Sequence, residues 1–193
     1  MNIAIFASGN GSNAENIANY FKGNPKVNVK LFLTNKNDAY VIERAKKLNI
    51  PCVVFSPKEL KDSEGVLKIL QENEIEFIIL AGFLLLVPDF IVDAYPNKII
   101  NIHPALLPKF GGKGMYGTNV HNAVIDAKET ESGITIHYVN NIYDEGKIIF
   151  QAKCNVENDD TAESLAQKIH VLEYECYPKV IESQIQQYIN QHK

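Results

Sequence analysis

The chain opens with an apolar run that ends in a glycine loop, IAIFASGNGSNA at residues 3–14. A short apolar run followed by such a loop and a helical pattern is typical of a buried strand that turns directly into a helix. Parallel strands need a crossover connection, usually a helix, before the next strand can pair. The stretch therefore predicts the first part of a βαβ repeat and an α/β fold.

The rest of the first hundred residues repeats this alternation. Further short apolar runs occur at residues 27–33, 53–55, 77–80 and 98–102. Stretches with helical spacing, such as residues 39–48 and 60–71, separate them. Strands that alternate with helices in this way predict a mainly parallel sheet that is covered on both faces.

The pattern changes after the last of these strands. A loop rich in Gly and Lys at residues 109–117 precedes an amphipathic helix at 119–127. Two strand-like runs follow at residues 133–139 and 147–153, and turn residues lie between them, so we expect an antiparallel extension of the sheet. A final helix is expected from Thr161, with Asp160 or Thr161 as its cap. We predict one domain over residues 1–193, with halves at 1–100 and 101–193.

Composition excludes several classes of protein. A net charge of -4 and a pI near 5.7 argue against a partner that is nucleic acid or a membrane surface, because these call for a basic face. Cys52, Cys154 and Cys176 are too scattered for a disulfide framework or a zinc site, and we expect buried thiols. The first apolar run is too short for a secretory signal, and no stretch approaches a membrane span. We therefore expect a cytoplasmic protein.

The glycine loop, GNGSNA at residues 9–14, suits a phosphate. Backbone N–H groups and the positive end of the helix dipole bind anions at such a junction. A dinucleotide site normally has an Asp or Glu at the end of the second strand, where this chain has LTN at residues 33–35. The loop thus favours a monophosphate over a dinucleotide, with a tight turn that binds nothing as the alternative.

Polar side chains end the fifth apolar run, KIINIHP at residues 98–104. Residues two apart on a strand face the same way, so Asn101 and His103 present an amide beside an imidazole. Pro104 ends the strand at the sheet edge where α/β proteins bind ligands. Together the two side chains suit oxyanion stabilisation and proton transfer, although each alone also suits a bond to neighbouring backbone. Asp144, before Gly146, is by itself typical of an Asx-turn.

Three motifs taken together resemble the catalytic signature of the folate-dependent formyltransferases. They are NIHPALLP at residues 101–108, GITIH at 133–137 and DEG at 144–146. Further segments narrow the resemblance to the phosphoribosylglycinamide formyltransferases over essentially the whole chain: SGNGSN at 8–13, LAGF at 80–83, and the stretch from Glu173 to Pro178. The resemblance implies a single-domain Rossmann-like formyltransferase fold. It also implies transfer of a formyl group from 10-formyltetrahydrofolate to the amine of glycinamide ribonucleotide in purine synthesis, without a metal.

The same resemblance implies roles for individual residues. The catalytic group would be Asn101, His103 and Asp144. Ribonucleotide-binding residues would be Gly11, Ser12, Asn13, Lys58 and Glu173. Folate-binding residues would be Leu84, Leu85, Leu86, Val87, Asn140 and Asp144. On this reading, residues 1–100 bind phosphate, and residues 101–193 supply catalysis and folate binding. Lys58 stands where some members have an arginine, and the loop at 110–117 is longer than in some members, so its contacts are not carried over.

Other functions stay open at this point. Formyltransferases that act on a sugar nucleotide or on initiator transfer RNA share the Asn-x-His and Asp-x-Gly motifs, but they usually carry an additional domain and lack the glycine loop. A folate-hydrolysing relative would carry an N-terminal regulatory domain. We expect neither domain, because the glycine loop begins at residue 9 and the chain ends at residue 193. A non-catalytic nucleotide-binding module would show no turnover. A homodimer is one alternative for the assembly.

Three further histidines, His121, His137 and His170, lie outside the expected catalytic group. His137 lies on a predicted strand, where we expect it to support neighbouring residues. His121 is expected to be exposed or close to substrate. His170 lies one turn before Glu173 on the last predicted helix.

Overall fold

Strands and helices alternate along residues 1–191, which the computed structural model describes. The last two residues of the predicted 1–193 domain lie outside this range. The strands of this part form a seven-stranded sheet in the order β3-β2-β1-β4-β5-β6-β7, numbered along the chain. Met1–Ile100 make up one compact unit, and the second begins at Asn101. No helix between residues 1 and 191 is long and apolar enough to cross a lipid bilayer.

The first unit contains the βαβ repeats. Its elements are β1 (Asn2–Phe6), α1 (Ser12–Tyr20), β2 (Asn28–Thr34), α2 (Val41–Leu48), β3 (Cys52–Val54), α3 (Pro57–Leu60), α4 (Val66–Glu72), β4 (Phe77–Leu80), α5 (Asp89–Ala94) and the first residues of β5 (Ile99–His103). Strand β1 pairs in parallel with β2 and β4, and β2 pairs in parallel with β3. Every residue of β4 is buried, which explains why this strand is a continuous apolar run.

The helix predicted over residues 60–71 is wrong in its first turns. The structure has the short α3, then turns at residues 61–65, then α4. Ser56 starts α3 with a capping box, in which the Glu59 backbone N–H donates to Ser56 Oγ at 3.2 Å. A Cβ on Gly65 would lie 2.1 Å from the Glu59 carbonyl oxygen. The apolar spacing continues through both helices, so periodicity alone does not reveal the break. The six-residue α5 was not predicted either.

The second unit contains the antiparallel extension. Its elements after β5 are α6 (Thr118–Asp126), β6 (Glu131–Tyr138), β7 (Ile148–Asn155) and α7 (Ala162–Gln191). Strands β6 and β7 pair antiparallel, with the register shifting between Ile136 and His137. Helix α7 packs on both strands and on α6. Thr161 caps α7 as predicted, because its Oγ1 accepts the Ser164 backbone N–H at 3.2 Å.

The predicted fold class is therefore confirmed. The sheet is mainly parallel, and its antiparallel strands come last in the chain. The three cysteines are free thiols, as expected, but the expectation that they are buried is wrong, because all three are only half-buried.

Candidate active site

Four polar side chains lie together in the second unit, where β5 ends and the turn after β6 begins. They are Asn101, His103, His137 and Asp144. Strand β5 ends at His103, as Pro104 predicts. The His103 side chain is only 4% exposed and that of Asp144 11%. Charges in this cluster therefore interact with little screening by water.

Asp144 holds the centre of the cluster. Its backbone is left-handed, with φ 58°, a conformation that Asp and Asn tolerate better than most residues. Its Oδ2 lies 3.5 Å from His103 Nδ1, and its Oδ1 lies 3.7 Å from His137 Nε2. Burial acts to raise the pKa of Asp144, whereas the two histidines, when protonated, and the Gly112 N–H act to lower it, and the pKa lies below its ordinary value. Asp144 is therefore ionised at neutral pH.

The glycine-rich loop after β5 contacts this cluster directly. The Phe110 carbonyl oxygen lies 2.8 Å from His103 Nε2, and the Gly112 backbone N–H donates to Asp144 Oδ2 at 2.9 Å. A Cβ on Gly111 would come within 3.2 Å of the Asp144 Cβ, so glycine permits the close approach. The sequence left the contacts of this loop unassigned. In the structure the loop orients both His103 and Asp144.

The hydrogen-bond partners of His103 determine which ring nitrogen carries the proton. A carbonyl only accepts, so neutral His103 carries its proton on Nε2 and donates it to Phe110. The other ring nitrogen, Nδ1, then faces Asp144. Burial is the largest influence on the pKa of His103 and lowers it, while Asp144 and the Phe110 carbonyl act to raise it; the pKa remains below its ordinary value. The ring is thus neutral at neutral pH, and Nδ1 can accept a proton beside the carboxylate.

His137 orients Asn101. The Tyr138 carbonyl oxygen lies 2.8 Å from His137 Nδ1, which places the proton of the neutral ring on Nδ1. His137 Nε2 is then an acceptor and receives an N–H from Asn101 Nδ2 at 3.1 Å. The second N–H of the Asn101 amide is left for another acceptor. Gly146 allows this turn, since a Cβ there would lie 1.6 Å from the Tyr138 carbonyl oxygen.

Thr135 and Gln151 hold the segment that follows His103. The Thr135 hydroxyl donates to the Ala105 carbonyl at 2.7 Å and accepts the Leu107 N–H at 2.9 Å. Gln151 Nε2 donates to Thr135 Oγ1 at 2.9 Å and to the Leu107 carbonyl at 3.0 Å. Sequence reasoning missed Gln151, because β7 pairs with β6 in a register that the sequence pattern does not reveal.

The charge of Glu173 acts on two buried histidines of the same unit. It lies on α7, and its charge acts to raise the pKa of both His103 and His121. His170 Nδ1 lies 3.5 Å from Glu173 Oε2. Of the two alternatives for His121, exposure is wrong, because the residue is only 6% exposed on α6, where burial lowers its pKa, and a place close to substrate stays a prediction.

The glycine loop of the first unit has the geometry of an anion site. Gly11 is the N-cap of α1 with φ 72°, and no side chain caps this helix. A Cβ on Gly11 would lie 2.5 Å from Val41 atoms, so only glycine fits. The predicted phosphate residues Ser12 and Asn13 occupy the first turn of α1, whose N–H groups suit an anion.

Ser8 links this loop to the segment after β4. Its hydroxyl donates to Asn35 Oδ1 at 2.6 Å and accepts the Leu84 N–H at 3.0 Å. Asn35 lies where a dinucleotide-binding protein would have its ribose-binding acid, and here it holds Ser8 instead.

The other predicted binding residues are distributed as follows. Leu84 and Leu86 are exposed, while Val87 is buried and Leu85 lies between these extremes. Lys58 is exposed on α3 and lines an open surface cleft. Asn140 accepts the Ile142 N–H at 3.0 Å within the turn after β6. Within residues 1–191, no three His, Cys, Asp or Glu side chains are placed to share a metal ion.

The chain is similar to known proteins over most of its length. The family model described as "Formyl transferase" matches residues 1–181. The phosphoribosylglycinamide formyltransferase of Bacillus subtilis is 41% identical over 183 residues, covering 92% of this chain and 91% of that protein. The chloroplastic phosphoribosylglycinamide formyltransferase of Arabidopsis thaliana is 40% identical over 93% of this chain, which spans only 63% of its length.

A solved structure is similar as well. The crystal structure of phosphoribosylglycinamide formyltransferase from Anaplasma phagocytophilum superposes with a TM-score of 0.87 at 36% sequence identity. The match covers 97% of this chain and 88% of that one. The likeness therefore extends across both the glycine loop and the polar cluster.

Proposed function

Because this chain belongs to the formyl transferase family, we propose that it transfers a formyl group from 10-formyltetrahydrofolate to the amine of glycinamide ribonucleotide, a step of purine synthesis. The family predicted from the sequence motifs is confirmed. The substrates are proposed from the names of the relatives, which are phosphoribosylglycinamide formyltransferases. One observation carries the proposal, namely that an amide, an imidazole and an ionised carboxylate lie together. Asn101 contacts His137, and Asp144 lies beside both His137 and His103.

The cluster supports a direct transfer. The amine nitrogen attacks the formyl carbon, a C–N bond forms, and the carbonyl electrons move to the oxygen. The Asn101 N–H that is not used by His137 stabilises this oxyanion. The resting His103 ring is neutral; when Nδ1 takes up a proton from solvent beside the Asp144 carboxylate, the ring adds positive charge near the oxygen.

Collapse of the tetrahedral intermediate completes the reaction. The attacking nitrogen carries an excess proton, which Asp144 accepts directly or through water, since its lowered pKa keeps it ionised. The bond from the formyl carbon to the folate nitrogen breaks, and that nitrogen receives the proton that Asp144 accepted. No covalent formyl-enzyme is needed, because the cluster contains no Ser or Cys nucleophile.

The two substrates would bind to different groups of residues. We assign the ribonucleotide to Gly11, Ser12, Asn13, Lys58 and Glu173. We assign the folate to Leu84, Leu85, Leu86, Val87, Asn140 and Asp144. The glycine loop supports the first assignment by its helix N-terminus, and the exposed Leu84 and Leu86 support the second, because a flat ring would cover their apolar surface. Residues 1–100 would thus hold phosphate, within one domain that extends to residue 193.

A cytoplasmic location and a homodimer are further proposals. Exposed Ile148 and Phe150 lie on β7, the last strand in the sheet order, where a second copy could add. Sedimentation velocity over a concentration series tests the dimer, and a single 21.7 kDa species throughout would contradict it. Cell fractionation with antibody detection tests the location.

The decisive experiment is an acceptor comparison with the purified chain. 10-Formyltetrahydrofolate is incubated with glycinamide ribonucleotide, with an amino-sugar nucleotide, with charged initiator transfer RNA, or with water alone, and formylated product is measured by mass spectrometry. We expect turnover only with the ribonucleotide. Preference for another acceptor would move the chain to another branch of the family, and hydrolysis alone would make it a folate hydrolase. Absence of product in every arm would indicate a non-catalytic module.

A further inference from the structure

The chain contains a single arginine. Of its 19 basic residues other than histidine, 18 are lysines and only Arg44 is an arginine. Arginine differs from lysine in presenting a planar fork of N–H donors that can bind two acceptors at fixed geometry. In this lysine-rich chain, only residue 44 can therefore present such a fork.

Arg44 uses this fork on the glycine loop. From helix α2 its Nε donates to the Asn10 carbonyl at 2.8 Å, and its Nη2 donates to Asn10 Oδ1 at 2.6 Å. Its Nη1 forms an ion pair with Glu15 in the first turn of α1. The Tyr40 ring lies 5.0 Å from the guanidinium carbon. Three donors and one face of the guanidinium are thus occupied by protein, and the side chain is only 18% exposed.

The start of α2 and the glycine loop are packed as one piece. The Val41 N–H donates to the Gly9 carbonyl at 3.2 Å, and Val41 fills the space beside Gly11. Asn10, between these two glycines, is held by Arg44 through both its backbone and its side chain. The orientation of the loop thus depends on contacts that reach 34 residues along the chain.

Charge gives Arg44 a second effect. Glu15 is the acidic residue in the first turn of α1, and this helix contains no basic residue that could offset the charge of Glu15. A carboxylate near the helix N-terminus lowers the affinity of that terminus for a phosphate, because like charges repel. The ion pair with Arg44 neutralises it.

We propose that Arg44 is a positioning residue for the phosphate of the ribonucleotide: it fixes Asn10, and with it the backbone N–H groups of residues 11–13, and it offsets the charge of Glu15. The inference rests on the proposed function, since the phosphate belongs to that substrate. Arg44 acts through the loop rather than by touching the phosphate, because three of its five N–H donors, one on each nitrogen, already bind Asn10 and Glu15.

The test compares Arg44→Lys and Arg44→Met with the control Lys46→Met. Lys46 lies on the same helix, is exposed and forms an ion pair with Glu43, so the control removes one positive charge from α2 at a side chain paired within the helix itself. Steady-state kinetics give kcat and the KM of each substrate. Calorimetry with ribose 5-phosphate measures phosphate affinity without turnover. Thermal unfolding reports whether each variant is folded.

We expect Arg44→Met to raise the ribonucleotide KM and the Kd of ribose 5-phosphate by at least about ten-fold, in line with loss of charge-assisted hydrogen bonds. Arg44→Lys keeps the charge but loses the fork, and we expect a rise of roughly five-fold. The folate KM and kcat should change by less than about two-fold in both variants, and Lys46→Met should match wild type throughout. Glu15→Gln added to Arg44→Met should recover part of the phosphate affinity.

Several results would overturn the inference. Unchanged ribose 5-phosphate affinity in folded Arg44→Met would do so, as would an equal rise of both KM values, which indicates a general structural role. If Arg44→Met does not fold, Arg44→Lys decides by the same criteria. Failure of the double variant to recover affinity would refute the charge effect. A wild-type chain that binds ribose 5-phosphate but never formylates the ribonucleotide would refute the proposed function. In that case, weaker binding of ribose 5-phosphate by Arg44→Lys would still support the role of Arg44.

Discussion

Asp144→Asn should separate chemistry from structure at the polar cluster. Asn is nearly the same shape, keeps an oxygen that can accept the Gly112 N–H, and tolerates the left-handed backbone with φ 58°. It cannot accept a proton or carry the charge that faces His103. We therefore expect a folded protein with a melting temperature close to wild type and a large loss of turnover.

The size of this loss follows from the geometry. When His103 becomes protonated during the reaction, its Nδ1 and Asp144 Oδ2 carry opposite unit charges 3.5 Å apart, which interact by about 5 kcal/mol at an effective dielectric constant of ~20. A positioned proton acceptor contributes about 10²- to 10⁴-fold in rate, equal to roughly 3–5 kcal/mol. Both values are of the same order, so we expect kcat to fall by at least about two orders of magnitude. The KM for the ribonucleotide should change little.

Glu145→Gln is the matched control for this experiment. It removes one negative charge at the next residue, whose side chain is exposed and is not part of the cluster. Turnover is measured with both substrates saturating, and folding is checked by calorimetry and circular dichroism. If folded Asp144→Asn keeps more than about a tenth of wild-type kcat, or if Glu145→Gln loses as much, the assignment of Asp144 as proton acceptor is refuted.

Asn101→Ala should lower kcat by about 10²- to 10³-fold at unchanged stability, the usual loss for one oxyanion donor, and near-normal kinetics would remove Asn101 from the mechanism. Gly146→Ala would place a Cβ 1.6 Å from the Tyr138 carbonyl oxygen. We expect a loss of roughly 2–4 kcal/mol in urea unfolding, and a wild-type midpoint would refute the close approach. The lowered pKa of Asp144 stabilises the fold above its unfolded value of about 3.9, and this contribution disappears as the pH falls through the folded-state pKa. The small advantage of wild type over Asp144→Asn in urea should therefore shrink below about pH 4, whereas an advantage independent of pH would contradict the shift.

Much of the fold follows from local patterns in the sequence. Buried parallel strands need apolar residues on both faces, so β1 and β4 appear as continuous apolar runs in the sequence. Pro104 predicts the end of β5, and Thr161 predicts the start of α7, because each acts on backbone within a few residues. The break at Gly65 escaped prediction, since apolar spacing continues across it.

The candidate site divides in the same way. By itself the sequence determined that Asn101 and His103 share one face of a strand and that Asp144 lies in a turn, because both features depend on neighbouring residues. Only the tertiary structure decided that His103 forms a hydrogen bond with the Phe110 carbonyl, and that Arg44 donates to Asn10, 34 residues away in the sequence. Periodicity reports which side chains are buried, whereas the path of the chain decides which backbone group each of them meets. The ring protons and pKa shifts of the cluster depend on those partners, so they become visible only when the chain is folded.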